Sequence, residues 1–246
     1  DRHYGAGGDG VIFVTRSGDA AAVDASLRIF NSDGGEAEIS GNGTRCAAAY
    51  LLNSAGRDGD LSVQTVAGVK TLKFISHQGN EFRFDMHMGK PILDAPSIPF
   101  RPPQPVAEPI VGIEIPLSGG AIKRATITSM GNPHCSIAVE NFDWDWPTCG
   151  REIERHAWFP NRTNIEFYRP VSRHAIEVRY WERGVGETNS SGTGSSAAAV
   201  ASILNGHTES PVDVITLAGT LPVRWEADGV YLTGPAEIVF QGEYLL

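Results

Sequence analysis

Residues 182–204 read ERGVGETNSSGTGSSAAAVASIL, and this stretch decides the fold. The run 175–181 before it largely alternates apolar and polar side chains, which predicts a strand. A Gly-rich turn follows, and the Ala-rich run 195–204 has no glycine, proline or charge, which predicts a buried helix. A strand, a Gly-rich turn and a helix in this order point free backbone N–H groups at an anion. Ser191 precedes the helix, so its hydroxyl is either a helix cap or a reacting group.

A second stretch repeats this design. Residues 39–52 read ISGNGTRCAAAYLL, and residues 190–204 read SSGTGSSAAAVASIL, so both contain Ser-Gly-x-Gly followed by a run of alanines. The two copies are too far apart for a solenoid, whose repeats are roughly 20–50 residues long. In the first copy the helix is predicted over residues 44–52. The repeat predicts two similar halves, each with a serine, Ser40 or Ser191, at a helix N-terminus. If the halves face each other, two hydroxyls and two sets of N–H donors converge on one small anionic group.

The rest of the chain is rich in strand patterns. Residues 61–88 alternate apolar and polar side chains and are broken at two glycine-containing turns, which predicts an antiparallel meander. Similar runs recur in the second half, and a third helix is predicted after Pro147. The proline-dense segment 90–109 is the candidate linker between two domains.

Composition excludes several classes of protein. The chain has 246 residues, enough for one large or two medium domains. Its net charge of −9 argues against nucleic acid or an anionic membrane as the main partner. No apolar run approaches the roughly 18 residues that span a bilayer. The three cysteines are an odd number without metal-ligand spacing, which favours a reducing, cytoplasmic setting.

Four segments together carry a family resemblance: RIFNSDGGEAEISGNGTRC, MGNPHC, TNIEF and WERGVGETNSSGTG. In this order they resemble the diaminopimelate epimerase family, whose superfamily includes proline racemases and phenazine-type isomerases. The resemblance implies an α+β fold of two pseudo-symmetric domains, each a curved, mainly antiparallel sheet wrapped around a central helix. We expect these domains at residues 1–87 plus 235–246 and at residues 88–234. The family's first strand and its Gly-Asn-Asp-Phe segment are not found, so we expect the chain to start about one supersecondary unit late.

The resemblance also implies an acid–base site. The family's two catalytic cysteines stand directly before the two Gly-x-Gly turns, and serines occupy both positions here. In the family, one thiolate removes the substrate α-proton while the opposing thiol protonates the other face. The catalytic positions implied in this chain are Ser40, Ser191, His134 and Glu182, of which the last two match groups proposed to assist the proton transfers.

Further positions match the family's substrate contacts. The substrate α-carboxylate is expected on the N–H groups at the two helix N-termini, and the distal amino-acid end is expected on a separate set of side chains. Neither a cofactor nor a metal is implied. The implied contacts to the α-carboxylate are Gly41, Asn42, Gly192 and Thr193, and those to the distal end are Asn31, Asn132, Asn164, Glu182 and Arg183.

Each of these residues also has an ordinary structural interpretation. Taken singly, a serine before a helix is an N-cap, and an asparagine beside a glycine or proline is a turn residue. Glu182 and Arg183 could form a surface ion pair. Only the repeat and the family motifs together favour the site.

The two serines are the main departure from the family. A thiol has an unperturbed pKa of about 8.5 and is lowered further at a helix N-terminus, whereas a serine hydroxyl becomes a base only when a neighbour takes its proton. We therefore expect impaired catalysis. Three explanations stay open at this stage: serines introduced to trap an inactive form, serines natural to a relative with another reaction, and a protein that binds without chemistry.

These observations predict cofactor-independent epimerisation of LL-diaminopimelate to meso-diaminopimelate, by two-base proton transfer at Cα, in lysine and peptidoglycan precursor synthesis. The expected partner is this small amino acid, with no nucleic acid and no membrane, in a possible homodimer. The alternatives are a dehydratase of a hydroxyproline-type amino acid and a catalytically silent amino-acid-binding protein.

Overall fold

The protein divides into two compact units. The structure, a computed structural model, describes residues 7–8, 10–18, 22–32 and 34–243. One unit comprises Asp1–His87 with Thr233–Leu246, and the other comprises Met88–Leu232. The expected second boundary followed residue 234 rather than residue 232. That the two units are two epimerase-like domains stays a prediction.

The first unit is a sheet with one long helix. Its strand order is β1-β2-β4-β5-β6-β15, and β2 and β4 are parallel because helix α1 connects them, whereas the pairs β1–β2, β4–β5 and β5–β6 are antiparallel. The short strand β3 turns back on β2 just before the helix. The elements are β1 (Gly10–Arg16), β2 (Ala25–Asn31), β3 (Glu36–Ala37), α1 (Gly41–Ala55), β4 (Leu61–Thr65), β5 (Gly68–Gln78), β6 (Glu81–Gly89) and the return strand β15 (Gly229–Glu237).

The second unit is a larger sheet with two helices. Its strand order is β15-β14-β13-β11-β10-β9-β8-β7, with β12 paired to β11. The pairs β9–β10 and β11–β13 are parallel, since helices α2 and α3 connect them, and the other neighbours are antiparallel. The elements are β7 (Ile113–Pro116), β8 (Ile122–Ser129), β9 (Pro133–Ala138), α2 (Trp146–Glu154), β10 (Asn164–Ser172), β11 (Ala175–Glu182), β12 (Gly186–Thr188), α3 (Gly192–Leu204), β13 (Val212–Thr216) and β14 (Gly219–Glu226).

The two units repeat one topology. In the first, β1 pairs with β2, β3 turns back, α1 crosses over, and β4 to β6 form a meander; in the second, β10, β11, β12, α3 and β13 to β15 follow the same plan. Each crossover starts from a serine-capped Gly-x-Gly turn. The repeat read from the sequence is therefore a repeat of structure, and the α+β class is confirmed.

Both central helices begin earlier than expected. α3 starts at Gly192 rather than at residue 195, and α1 starts at Gly41 rather than at residue 44. The glycines predicted to form a turn lie in the first helical turn, because the preceding serine side chain caps that turn. Every residue of α3 from 192 to 202 is buried, as expected for a helix without charge.

The segment 90–109 is not a free linker, so that prediction was wrong. Ile98 and Phe100 are buried in a core cluster of the second unit, together with Trp146 and Ile153 of α2. Proline density identified an irregular segment correctly, but apolar side chains within it anchor that segment to the sheet. Among the described residues, no helix combines the length and the apolar character needed to cross a membrane.

Candidate active site

Ser191 is both a helix cap and a hydrogen-bond donor to a carboxylate. Its Oγ accepts the N–H of Gly194 at 3.2 Å and donates to Oε2 of Glu182 at 2.9 Å. A side chain at Gly194 would bring a Cβ within 2.9 Å of a ring carbon of Tyr180, so only glycine fits there. The two interpretations of Ser191 made from the sequence are thus compatible, since the cap leaves the hydroxyl proton directed at a base.

Glu182 ends β11 and faces two hydroxyl groups. Its Oε1 accepts from Thr188 at 2.6 Å, and its Oε2 accepts from Ser191. Burial raises the pKa of Glu182, while the two hydroxyl bonds and the nearby His134 act in the opposite direction. A half-buried carboxylate with a raised pKa beside a hydroxyl is suited to accept and return a proton.

A buried tyrosine braces the start of α3. The hydroxyl of Tyr180 lies 2.7 Å from Oγ of Ser195, whose own proton goes to the carbonyl of Ser191 at 2.6 Å. The Tyr180 hydroxyl is therefore the donor to Ser195. Burial raises the pKa of Tyr180, which keeps it a neutral phenol. These two hydrogen bonds fix the backbone at Ser191, and no sequence motif indicated them.

His134 belongs to a buried polar cluster on β9 and β10. Its Nδ1 lies 2.6 Å from Oε1 of Glu166, and its Nε2 lies 2.8 Å from Oδ1 of Asn132. The other oxygen of Glu166 accepts from Ser136 at 2.9 Å. The parallel register places Ser136 beside Glu166, so motifs that are distant in sequence become adjacent. A carboxylate on one ring nitrogen orients the ring and so determines what the other nitrogen faces.

Sequence reasoning missed Glu166, although TNIEF was recognised as a motif. The available signal was a charged residue inside an apolar strand, flanked by Ile165 and Phe167. A fully buried carboxylate needs partners, and it finds them in His134 and Ser136. Thr188 was missed for a simpler reason, because a single threonine at the end of the three-residue strand β12 carries no pattern.

Asn164 joins two loops of the second unit. Its Oδ1 accepts the backbone N–H of Arg183 at 3.0 Å, and its Nδ2 donates to the carbonyl of Pro133 at 2.9 Å. Asn132 approaches Thr193 with 3.5 Å between Nδ2 and Oγ1. The structure thus brings the MGNPHC turn, the start of β10 and the first turn of α3 together. Substrate contacts by these asparagines and by Arg183 stay predictions.

The first unit builds the same cap at Ser40. Its Oγ accepts the N–H of Gly43 at 3.0 Å, and a Cβ at Gly43 would lie 2.7 Å from a methyl group of Ile12. In both units the first N–H groups of the helix have no intrahelical partner, which suits them to an anion. The amides in question belong to Gly41, Asn42, Gly192 and Thr193.

A buried arginine supports the first turn of α1. Arg45 donates to the carbonyl of Gly41 and to Oδ1 of Asn42, both at 3.2 Å, and to the carbonyl of Pro235 at 3.1 Å. Burial lowers its pKa to about 10, so the side chain stays a cation at neutral pH. Its positive charge adds to that of the helix N-terminus.

Asn31 is the last residue of β2, and its backbone closes a turn with Gly34 and Gly35.

No group of three or more His, Cys, Asp or Glu side chains within the described ranges could hold a metal ion. The side chains described above offer hydroxyl, carboxylate and imidazole groups for acid–base chemistry, and the helix N-termini offer anion sites.

Comparison with known proteins identifies the family. A family model described as diaminopimelate epimerase matches residues 1–93 and 126–239. The chain belongs to the diaminopimelate epimerase family. The protein of that name from Pelotomaculum thermopropionicum is 43% identical over 249 residues, covering 99% of this chain and 86% of that protein. The chloroplastic diaminopimelate epimerase of Oryza sativa is 38% identical, covering 98% of this chain and 70% of that protein.

Solved structures of other proteins share the fold at low sequence identity. A hydroxyproline epimerase from Agrobacterium vitis matches with a TM-score of 0.67 at 14% identity, covering 93% of this chain and 73% of that chain. A probable proline racemase from Agrobacterium radiobacter matches with a TM-score of 0.71 at 14% identity, covering 96% and 76%. The family resemblance is confirmed, and so is its fold.

Proposed function

We propose that the protein is an isomerase that interconverts LL- and meso-diaminopimelate without a cofactor, with Ser40 and Ser191 at the two acid–base positions. One observation carries the proposal. Ser191 caps α3 and donates its hydroxyl proton to Glu182, in a chain 43% identical to a diaminopimelate epimerase over nearly its whole length. The reaction needs a proton acceptor beside an anion site. Ser191 with Glu182 supplies the acceptor, and the N-terminus of α3 supplies the anion site.

Glu182 can take the hydroxyl proton of Ser191 when the serine oxygen accepts the substrate α-proton. The Cα–H bond of the substrate breaks, its proton goes to Oγ of Ser191, and the serine's own proton passes to Glu182 across the 2.9 Å bond. The electron pair left on Cα is delocalised into the α-carboxylate, which the helix N-termini stabilise. Ser40 then gives its hydroxyl proton to the opposite face of Cα, and water re-protonates its oxygen while Glu182 releases its proton to solvent, which returns the site to its starting state. Both oxygens of Glu182 accept from hydroxyls, which favours this role over binding a distal ammonium group.

Two serines make a slow catalyst. A serine hydroxyl loses its proton far less readily than a cysteine thiol, even when a carboxylate receives the proton. Glu182 offsets part of that cost at Ser191. We therefore expect epimerisation well below the rate of a cysteine-containing relative.

The same function places the protein in the synthesis of lysine and peptidoglycan precursors, in the cytoplasm. Its partner is the small-molecule substrate, and a homodimer is the expected assembly. These statements follow from the proposed activity and fail with it.

Proton exchange at Cα tests the function directly. Purified protein is incubated with LL-diaminopimelate in heavy water, NMR follows loss of the Cα proton, and chiral chromatography follows the meso isomer. We expect slow exchange that Ser191→Ala and Glu182→Gln abolish. Calorimetric binding of diaminopimelate without any exchange would replace the proposal with a silent amino-acid-binding protein. Absence of both would refute it.

A further inference from the structure

Glu154 is a buried carboxylate in an unfavourable place. It is the last residue of α2 and is 4% exposed. Burying a carboxylate is costly unless it is hydrogen-bonded, and the C-terminal end of a helix repels negative charge. Its position therefore works against the stability of α2, and the reason for a carboxylate there lies in what it contacts outside the helix.

The two oxygens of Glu154 hold the turn after β11 at two points. Oε2 accepts the indole N–H of Trp181 at 2.9 Å, and Oε1 accepts the backbone N–H of Gly184 at 3.2 Å. Oε1 also lies 3.5 Å from Nη1 of the half-exposed Arg162, a longer ion pair outside the turn. Trp181 and Gly184 flank Glu182 and Arg183. The carboxylate of Glu154 thus contacts the residues on either side of Glu182, the proposed proton acceptor, and Arg183, the predicted substrate contact.

The indole of Trp181 is clamped in this position. A Cβ at Gly150 of α2 would lie 2.8 Å from Cβ of Trp181, so the helix backbone rests directly on that side chain. The guanidinium of Arg151 lies 5.3 Å from the ring centroid, and Gly186 of β12 approaches the ring, since its Cβ would come within 3.6 Å. Packing fixes the ring, and Glu154 fixes the direction of its N–H.

We propose that Glu154 is a positioning residue, which orients the 181–184 turn so that the carboxylate of Glu182 meets Ser191. It touches neither of these residues and acts through Trp181 and Gly184. The proposal rests on the proposed function only for the roles of Glu182 and Arg183; the holding of the turn by Glu154 is independent of it.

Amide hydrogen exchange of the ligand-free protein tests the first step. Glu154→Gln keeps the size of the side chain but removes its charge and replaces one acceptor by an amide nitrogen, so the bond to Gly184 is either lost or left with a neutral, weaker acceptor. Exchange at Gly184 is measured relative to Phe167 in the core of β10, which reports global stability. We expect Gly184 to exchange about tenfold faster or more, as befits a lost bond to a charged group. Equal acceleration at both amides would mean a merely structural role and would overturn the proposal.

Glu152→Gln is the matched control. It removes a carboxylate from the same helix, one that accepts from the backbone and hydroxyl of Ser118 on the surface. It should leave the Gly184-to-Phe167 ratio unchanged. If Glu154→Gln does not fold, Trp181→Phe removes a single donor from the same carboxylate, and the same ratio should rise there as well.

Binding and turnover test the second step. Calorimetry with LL-diaminopimelate and Cα exchange in heavy water are repeated on both variants. Glu154→Gln should reduce the Cα exchange rate about tenfold or more, and Glu152→Gln should not. A faster-exchanging Gly184 with unchanged Cα exchange would show that the turn is held without consequence for the site. If the unaltered protein neither binds nor exchanges, the proposed function fails, and the amide ratio still decides the role of Glu154 in the turn.

Discussion

Placing thiols at both serine positions should create a fast epimerase. In the double variant Ser40→Cys/Ser191→Cys, each sulfur replaces an Oγ that now accepts a backbone N–H, at 3.0 Å from Gly43 and at 3.2 Å from Gly194. Both positions are helix N-caps, where the helix dipole favours an anion. The caps therefore hold the new thiols where a thiolate is stabilised.

The expected increase in epimerisation rate follows from two contributions, the ionisation of the thiol and its efficiency as an acid or base. A helix N-terminus is worth about 0.3–1 kcal/mol to an anion, up to about 2 in partly buried sites, and one pKa unit is about 1.36 kcal/mol. At position 40 a thiol pKa of about 8.5 should thus fall to roughly 7–8, so that about half or more of that thiol is ionised at pH 8. A correctly placed acid or base contributes about 10²–10⁴-fold. We expect the double variant to exceed the serine form by at least about 10²-fold.

The pH dependence has a defined sign. One thiolate and one thiol are needed at once, so the rate should fall at both extremes. In the serine form Glu182 must be ionised to accept a proton. Because burial raises its pKa, activity should be lost as the pH falls through a value above the usual glutamate pKa of about 4.3. The carboxyl is favoured in its protonated form in the folded state, so its stabilising contribution is present at low pH and is lost as the pH rises through that raised pKa.

The assay is conversion of LL-diaminopimelate followed by chiral chromatography, with circular dichroism to verify the fold. Ser40→Cys and Ser191→Cys are the controls, and each should gain Cα exchange but invert the substrate about as slowly as the serine form, since one face still has only a hydroxyl. No gain in a folded double variant would contradict the assignment of these positions. Rapid turnover by the serine form would refute the argument that hydroxyls are poor substitutes.

Three further results are expected. Arg183→Ala should weaken diaminopimelate binding far more than alanine binding in calorimetry, and equal weakening would mean a structural role. Glu166→Gln should slow Cα exchange about tenfold and shift the ¹⁵N resonance of His134 Nδ1, and an unchanged resonance would contradict the pairing. Gly194→Ala should destabilise the protein by about 1–3 kcal/mol in thermal denaturation, because its Cβ would lie 2.9 Å from a tyrosine ring, whereas Gly18→Ala, in open space, should be neutral.

The sequence contained the fold's repeat because the repeat is local. Each copy is a capped helix start followed by alanines, and a cap is decided by a serine and the N–H three residues later. The misjudged parts depend on distant packing. Nothing near Ile98 and Phe100 indicates that a strand and a helix elsewhere will bury them.

The sequence predicted only those residues of the candidate site that lie within a recognised motif. Ser191 and Glu182 are neighbours through one short turn, so the motif contains both. Glu154 and Glu166 act from other elements, and their relevance appears only when α2 packs on Trp181 and when β9 pairs with β10. Buried carboxylates have no sequence period of their own, and only tertiary structure reveals which donors satisfy them.

The parallel pairing of β9 and β10 has a consequence for folding accuracy. Ile165 and Phe167 face one apolar core of the second unit, and Glu166 between them faces the opposite side of the sheet, where His134 and Ser136 meet it. A slip of one residue would turn Glu166 into the apolar core and leave both partners unsatisfied. The polar cluster therefore favours the native register of β9 and β10 over shifted registers, even in the absence of substrate.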